Sequence, residues 1–252
     1  MFLGRTRSAL RYLSWADPFY KWKFSKGDCP SCGGKYFLSL KRSDFMTRCL
    51  TCKANIVNIS LIPVIKQHFG NSASNAVAYE LSTYGSTLSY LQNNFRSVTT
   101  SEYMPDQPKG AVVDGVRNED IQSLTFDEDT FDLVTSNSVL EHVPDDIKGC
   151  SECYRILKPK GALIFSVPLY DTPSTIKMAE IDKNGSIVFH QEPEYHDSRL
   201  GGPESALTFW RHSFHDICER VKAAGFSNVR LVDVTIAPSQ GLSTKVVYAI
   251  KD

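Results

Sequence analysis

The chain has 252 residues, of which 42% are hydrophobic and 22% charged, with zero formal net charge and seven cysteines. This composition excludes a disordered chain and suits one large domain, or one medium domain with a small module beside it. The odd cysteine count, and the absence of an apolar run after the early arginines of "MFLGRTRSALRYLSWADPFYKW", lead us to expect a reducing, cytoplasmic setting.

The longest apolar stretch, "ANIVNISLIPVI", has twelve residues including a proline, too short to span a bilayer. Charge is unevenly distributed. Residues 1–66 hold 12 Lys/Arg against 3 Asp/Glu, and residues 67–252 hold 16 against 25. Such a split suggests two units with different partners. The basic unit could meet a polyanion such as RNA or anionic lipid headgroups, or it could simply dock on the acidic unit or face solvent.

Four cysteines come first in the chain. "CPSCGG" carries Cys29 and Cys32, "CLTCKA" carries Cys49 and Cys52, and sixteen residues separate the pairs. Two C-x2-C turns supply four sulfurs in a tetrahedron, the donor set of closed structural zinc sites. "KYFLSLKRSDFMTR" reads as two short strands around "KRSD", as in a zinc ribbon, and Gly33 and Gly34 suit the turn after the first pair. Zinc is the expected metal and iron the alternative. "KQHFGNSASNA" then crowds Gly, Asn and Ser. It divides the chain into a basic ribbon-like segment, 1–70, and a second domain, 71–252.

From there strand and helix patterns alternate. "AVAYEL" reads as a strand and "STLSYLQNNF" as a helix. "SVTTSEY", "GVRNEDIQSL" and "FDLVTSNS" contain strands. "DDIKGCSECYRILKP" reads as a helix stopped by Pro159, and "GALIFSVPLY" as an apolar strand. An irregular insertion is expected at about 171–203. "SFHDICERVKAAGF" is a helix, and "NVRLVDVTI" and "TKVVYAI" are final strands with no helix between them. This pattern predicts a doubly wound α/β sheet with a C-terminal antiparallel strand pair.

In such a sheet, ligands sit beyond the carboxyl ends of the strands. Those loops hold Glu80-Leu81-Ser82-Thr83-Tyr84-Gly85, Glu102-Tyr103, Glu119-Asp120-Ile121 and Ser136-Asn137-Ser138. Three of the four carry an acid. Carboxylates accept ribose hydroxyls and repel phosphate. A first loop with one glycine also suits a nucleoside without pyrophosphate.

From about residue 76 to 252 the text resembles the class I S-adenosylmethionine (SAM)-dependent methyltransferases, in the branch called methyltransferase type 11. The resemblance is carried by "AYELSTYGSTLSYL", "TTSEY", "VRNEDIQSLTFDEDTFDLVTSNSVLEHVPD" and "CYRILKPKGALIFSVP". It implies a Rossmann-like methyltransferase sheet with SAM as cofactor. It places Glu80 near the methionine amine, with Leu81, Ser82 and Gly85 in the turn beneath. Glu102 would take the ribose hydroxyls, with Tyr103 beside it, and Asp120 and Ile121 the adenine. Ser136 and Asn137 would face the methyl donor. The family's first loop usually carries three glycines; here Ser82 and Tyr84 stand at two of those positions.

A hydroxyl or protonated-amine acceptor needs a base. His142, His196 and Tyr195 are the candidates, with His190 and Glu141 behind them. "PEYHD" falls in the insertion, where this fold builds its acceptor lid. "TFWRHSF" either lines the same opening or packs and caps the last long helix. Cys150, Cys153 and Cys218 read as packing residues. The leading reading is methyl transfer to an oxygen or nitrogen of a small-molecule or glycan-type acceptor. The alternatives are an RNA methyltransferase gripping nucleic acid through its basic ribbon, and a non-enzymatic SAM-fold binding module.

Overall fold

The computed structural model describes residues 21–41, 45–198, 201–236 and 244–252. Residues 42–44 of the expected ribbon turn, and the arginine-rich segment 1–20, lie outside that set.

The chain opens with β1 (Lys23–Lys26), β2 (Tyr36–Ser39) and β3 (Thr47–Cys49), an antiparallel three-stranded sheet. The sequence reading anticipated two of these strands and missed β1. Its residues are mostly exposed, and only pairing with β2 makes it a strand. Next come the short helix α1 (Ile56–Ile59), α2 (Leu61–Phe69) and a 3-10 turn (Gly70–Asn75). Asn55 caps α1 by accepting from the Asn58 N–H at 2.7 Å.

The second half begins with β4 (Val77–Glu80), α3 (Ser86–Asn94), β5 (Ser97–Glu102), β6 (Val112–Val113), β7 (Val116–Asn118) and β8 (Phe131–Asn137). Then follow α4 (Asp146–Ile156) and β9 (Leu157–Ser166). The insertion contains β10 (Leu169–Tyr170), β11 (Ile176–Lys177), β12 (Ala179–Ile181), β13 (Ile187–Phe189), β14 (Tyr195–Ser198) and β15 (Gly202–Leu207). The chain closes with β16 (Trp210–Ser213), α5 (Ile217–Ala223), β17 (Asn228–Val234) and β18 (Thr244–Ile250).

The main sheet has eight strands in the order β17-β18-β9-β8-β4-β5-β7-β6. Strands β9, β8, β4, β5 and β7 are parallel to their neighbours in this run, whereas β18 runs antiparallel to β9 and to β17. Strand order reverses between β4 and β8. Loops leaving the carboxyl ends of these two strands therefore diverge and leave a crevice, the usual ligand position in an open α/β sheet.

Alternation along the central strands splits the core in two. Ala78, Leu133, Ala162, Ile164 and Val246 face one side, with Ile59, Ile62, Ile65 and Leu91 of the helices packed on them. Tyr79, Val134, Leu163, Phe165 and Val247 face the other, under Cys153, Ile156, Ile217 and Val221 of α4 and α5. Cys29, Phe37 and Cys49 of the ribbon belong to the first cluster. His68 on α2 also hydrogen-bonds Tyr248 on β18 through Nδ1, at 2.7 Å. Residues on both sides of position 70 thus share one apolar layer.

Two local expectations are corrected, and one open alternative is decided. Pro159 does not stop α4: the helix ends at Ile156 and β9 begins at once, with Pro159 in an irregular stretch between the Phe131–Leu157 and Leu133–Ala162 pairings. Lys160 there has φ +68°, and a side chain at Gly161 would sit 2.8 Å from the Lys158 carbonyl oxygen. The insertion is not irregular, because β12–β13 and β14–β15 are antiparallel hairpins. "TFWRHSF" holds β16, which pairs with β10 and β11 and also packs on the last helix, the Arg220 guanidinium of α5 lying 4.4 Å from the Trp210 ring.

Asp146, buried in the first turn of α4, ties three elements together. It accepts from Arg220 of α5 at 2.5 and 3.1 Å and from His212 of β16 at 2.9 Å. Burial pushes its carboxyl up, but the hydrogen bonds from His212 and Arg220 outweigh burial and hold it below the ordinary range. Asp146→Ala leaves Arg220 and His212 without their acceptor and should cost about 3–5 kcal/mol in urea unfolding. A loss under about 1 kcal/mol, the range of exposed pairs, would refute the triad as a structural tie.

Candidate cofactor crevice and acceptor lid

Strand β4 ends on Glu80, whose side chain is fully buried. Thr135 Oγ1, on the neighbouring strand β8, donates to Glu80 Oε2. Burial, with the nearby charge of Glu102 adding and the Thr135 bond opposing, pushes the Glu80 carboxyl up to about 8. The Leu81 N–H still donates to the Thr135 carbonyl at 3.1 Å, so Leu81 stays buried at the strand end before the chain turns away. Ser82 Oγ lies 3.3 Å from the Tyr84 nitrogen inside the loop, and the Tyr84 ring is exposed.

Thr83 links this loop to the next strand. Its N–H and its Oγ1 donate to Glu102 Oε1 at 3.0 and 2.6 Å. Gly85 precedes α3 at φ +110°, a conformation that glycine adopts without strain. No atom lies within 4 Å of where its Cβ would stand. The start of α3 therefore opens onto free space.

The other predicted residues line adjoining strand ends. The Glu119 N–H donates to the Glu102 carbonyl at 3.1 Å, bringing Asp120 and Ile121 alongside the end of β5. Asp120 Oδ1 accepts from the Gln122 N–H at 2.9 Å, and Lys109 Nζ is 3.5 Å from Oδ2. Ile121 packs against Gly149 of α4. Tyr103 is exposed. At the end of β8, Ser136 Oγ is buried without a hydrogen-bond partner. Asn137 accepts from Ser166 Oγ at 2.5 Å and reaches Thr87 of α3 at 3.4 Å. Sequence reading named Thr83 in its loop without a role and missed Thr87 and Thr135, because hydroxyl partners across strands leave no local pattern.

A second cluster lies beyond β8. "LEH" forms a 3-10 turn, Leu140–His142. Glu141 is buried with neither carboxylate oxygen hydrogen-bonded. His142 Nδ1 lies 2.9 Å from the Leu207 carbonyl, and His142 Nε2 is 3.2 Å from His196 Nδ1 on the hairpin strand β14. His196 Nε2 is 3.2 Å from Glu194, which Arg211 Nε holds at 2.8 Å. Tyr195 is next to His196 on the strand, so its exposed ring faces the opposite side of the hairpin and is not brought into the cluster. His190 lies elsewhere, 3.5 Å from Glu180.

The ribbon cysteines converge as the spacing predicts. The Cys29–Cys52 and Cys32–Cys49 sulfur distances are 3.7 and 3.6 Å, and the four sulfurs lie within 4.8 Å of one another. Tetrahedral zinc at about 2.3 Å from each sulfur sets them about 3.8 Å apart, so the set fits that ion. Each C-x2-C turn is followed by a residue of positive φ, Gly33 (+72°) and Lys53 (+67°). Gly34 must be small, because a Cβ there would meet Cys49 Sγ at 2.9 Å.

The strand order is that of a Rossmann-like methyltransferase fold with a large mixed sheet. Residues 81–165 match the family model described as a methyltransferase domain. A solved SAM-dependent methyltransferase from Mesorhizobium loti superposes with TM-score 0.50 at 15% identity, over 76% of this chain and 98% of that one. The 1,6-didemethyltoxoflavin-N1-methyltransferase of Burkholderia thailandensis, solved with 1,6-didemethyltoxoflavin and S-adenosylhomocysteine, gives 0.51 at 19% identity, over 77% and 78%.

Among curated sequences, the ubiquinone biosynthesis O-methyltransferase of Coxiella burnetii is 44% identical over 48 residues, 19% of this chain and 20% of that protein. The arsenite methyltransferase of Aquipseudomonas alcaligenes is 30% identical over 115 residues, 46% of this chain and 28% of that protein. The chain thus spans about a fifth of the length of the first of these relatives. Residues 81–165 and the fold are thus similar to those of methyltransferases. No helix among the described residues is long and apolar enough to cross a membrane.

The buried Glu80 gives a signed pH test. Its folded value is raised from 4.5 to about 8, so the unfolded chain loses this proton first as pH rises. Its contribution to stability is present below about 4.5 and declines through the window up to about 8. Glu80→Gln should gain stability relative to the wild type across that window, by up to about 1.4 kcal/mol per pH unit. A difference in urea unfolding that stays flat with pH would refute the shift.

Proposed function

We propose that the chain transfers the methyl group of SAM to an oxygen or nitrogen of a small-molecule or glycan-type acceptor. The observation that carries this reading is the pair of carboxylates at the switch point. Glu80 is buried at the end of β4, and Glu102 is fixed by Thr83 at the end of β5. SAM, when bound, supplies a methyl group already activated on a sulfonium.

The chain's own work is then alignment and proton handling. Glu80 receives the ammonium of the methionine part, and Glu102 the ribose hydroxyls. Asp120 and Ile121 hold the adenine edge. Gly85 leaves room for close approach, and the orphaned Ser136 hydroxyl beside Asn137 faces the methyl-donor side. The lid carries His196 onto His142 and closes the acceptor side. Zinc in the four-cysteine site would be structural, because four sulfurs leave no open position.

A second reading keeps the chemistry and changes the acceptor to RNA. Trp22, Phe24, Tyr36 and Phe45 are exposed on the ribbon, interleaved with Lys21, Lys23, Lys26 and Lys35. Exposed aromatics among cations form a stacking surface for single strands. Steep salt dependence of binding to a short single-stranded RNA would favour it over the small-acceptor reading.

Calorimetry with SAM and S-adenosylhomocysteine tests the pocket directly. Binding near pH 7 should release a proton as Glu80 ionises against the ligand ammonium, seen as a dependence of the heat on buffer ionisation enthalpy. Glu102→Ala should weaken either ligand by about tenfold or more, the loss of a charge-assisted hydrogen bond. Unchanged affinity would remove Glu102 from the pocket, and no binding of either ligand would sink the methyltransferase reading.

A further inference from the structure

The cluster beside the β14–β15 hairpin brings two ring nitrogens and a buried carboxyl together. The Leu207 carbonyl can only accept, so His142 Nδ1 carries a hydrogen and donates to it at 2.9 Å. Glu194 is held by Arg211 and accepts from His196 Nε2. With both rings neutral, His142 Nε2 and His196 Nδ1 present lone pairs to each other at 3.2 Å. Glu141 Oε1 lies 3.8 Å from His142 Nε2, and both its carboxylate oxygens are buried and unpartnered. A proton shared by the histidines would satisfy the rings but give neither Glu141 oxygen a hydrogen-bond partner.

We propose that Glu141, His142 Nε2 and His196 Nδ1 bind a divalent metal ion of the zinc type at the mouth of the acceptor lid. These three groups offer ligand atoms within 4.8 Å of one another. Tetrahedral zinc with nitrogen ligands at about 2.05 Å sets two nitrogens about 3.3 Å apart, close to the gap between the histidines. Each ring's other nitrogen already has an acceptor, Leu207 or Glu194, the outer support that metal-bound histidines require. Two imidazoles and a carboxylate are a catalytic rather than a structural set, because they leave a coordination position open. An ion there would take an oxygen of the acceptor and lower its pKa, which favours a hydroxyl acceptor. This last step rests on the methyl-transfer reading; the metal site itself does not.

Cobalt(II) titration of the full chain, stripped with a chelator and watched by absorption, separates the two metal sites. Cobalt on the ribbon cysteines gives intense thiolate bands. Cobalt on Glu141, His142 and His196 gives a weaker visible spectrum without them. The wild type should show both steps. His196→Ala, on the hairpin and away from the core, should lose the second step and keep the first, with an unchanged urea-unfolding midpoint. Glu194→Gln should weaken the second step about 10–100-fold, the effect of losing an outer partner. A wild type without the second step, or a His196→Ala variant that retains it, would overturn the proposal. S-adenosylhomocysteine binding measured on the same samples reports separately on the cofactor pocket.

Discussion

Side chains alternate across the central strands, and the placement of every other element follows from that alternation. Ala78, Leu133 and Ile164 point one way, and Tyr79, Val134 and Phe165 the other. Each face must be covered by an apolar layer, because burying one such side chain is worth about 1.5–3 kcal/mol. One face takes α4 and α5. The other takes α1, α2 and α3, with Cys29, Phe37 and Cys49 of the ribbon completing the layer. The ribbon is therefore part of the core that supports the sheet rather than an appendage joined to it.

The polar groups gather where this apolar packing stops. At the carboxyl ends of β4, β5 and β8 the strands run out of hydrophobic partners, and Glu80, Glu102 and Asn137 occupy those positions. Threonines, not glycines, organise the crevice: Thr135 holds Glu80, Thr83 holds Glu102, and Thr87 meets Asn137. Tyr84 faces solvent, and Ser82 bonds within its own loop.

Much of this was legible in the sequence where the signal is local. The period-2 runs of β4, β8 and β9, the C-x2-C spacing and the acids closing the strands all depend on neighbours a few residues away. What was not legible depends on distant partners. β1 is exposed and exists through pairing with β2. The hairpins of the insertion look irregular until β14 meets β15. Pro159 reads as a helix stop, yet the helix gives way to strand before reaching it. His142 and His196 are separated by 54 residues, so their approach and the support from Glu194 and Arg211 arise only from the lid's fold.

Cys150 and Cys153 sit on the inner face of α4, where burial pushes the Cys153 thiol up to about 12 and the Cys150 thiol well above its ordinary value. Neither can react as a thiolate while the helix lies on the sheet. Cys218 is partly accessible, and Cys32 and Cys52 are at the surface. The native chain thus carries its own timer. A thiol reagent reaches the paired cysteines of α4 only as fast as that helix lifts from the core, so their slow labelling reads the opening of one layer without any introduced probe.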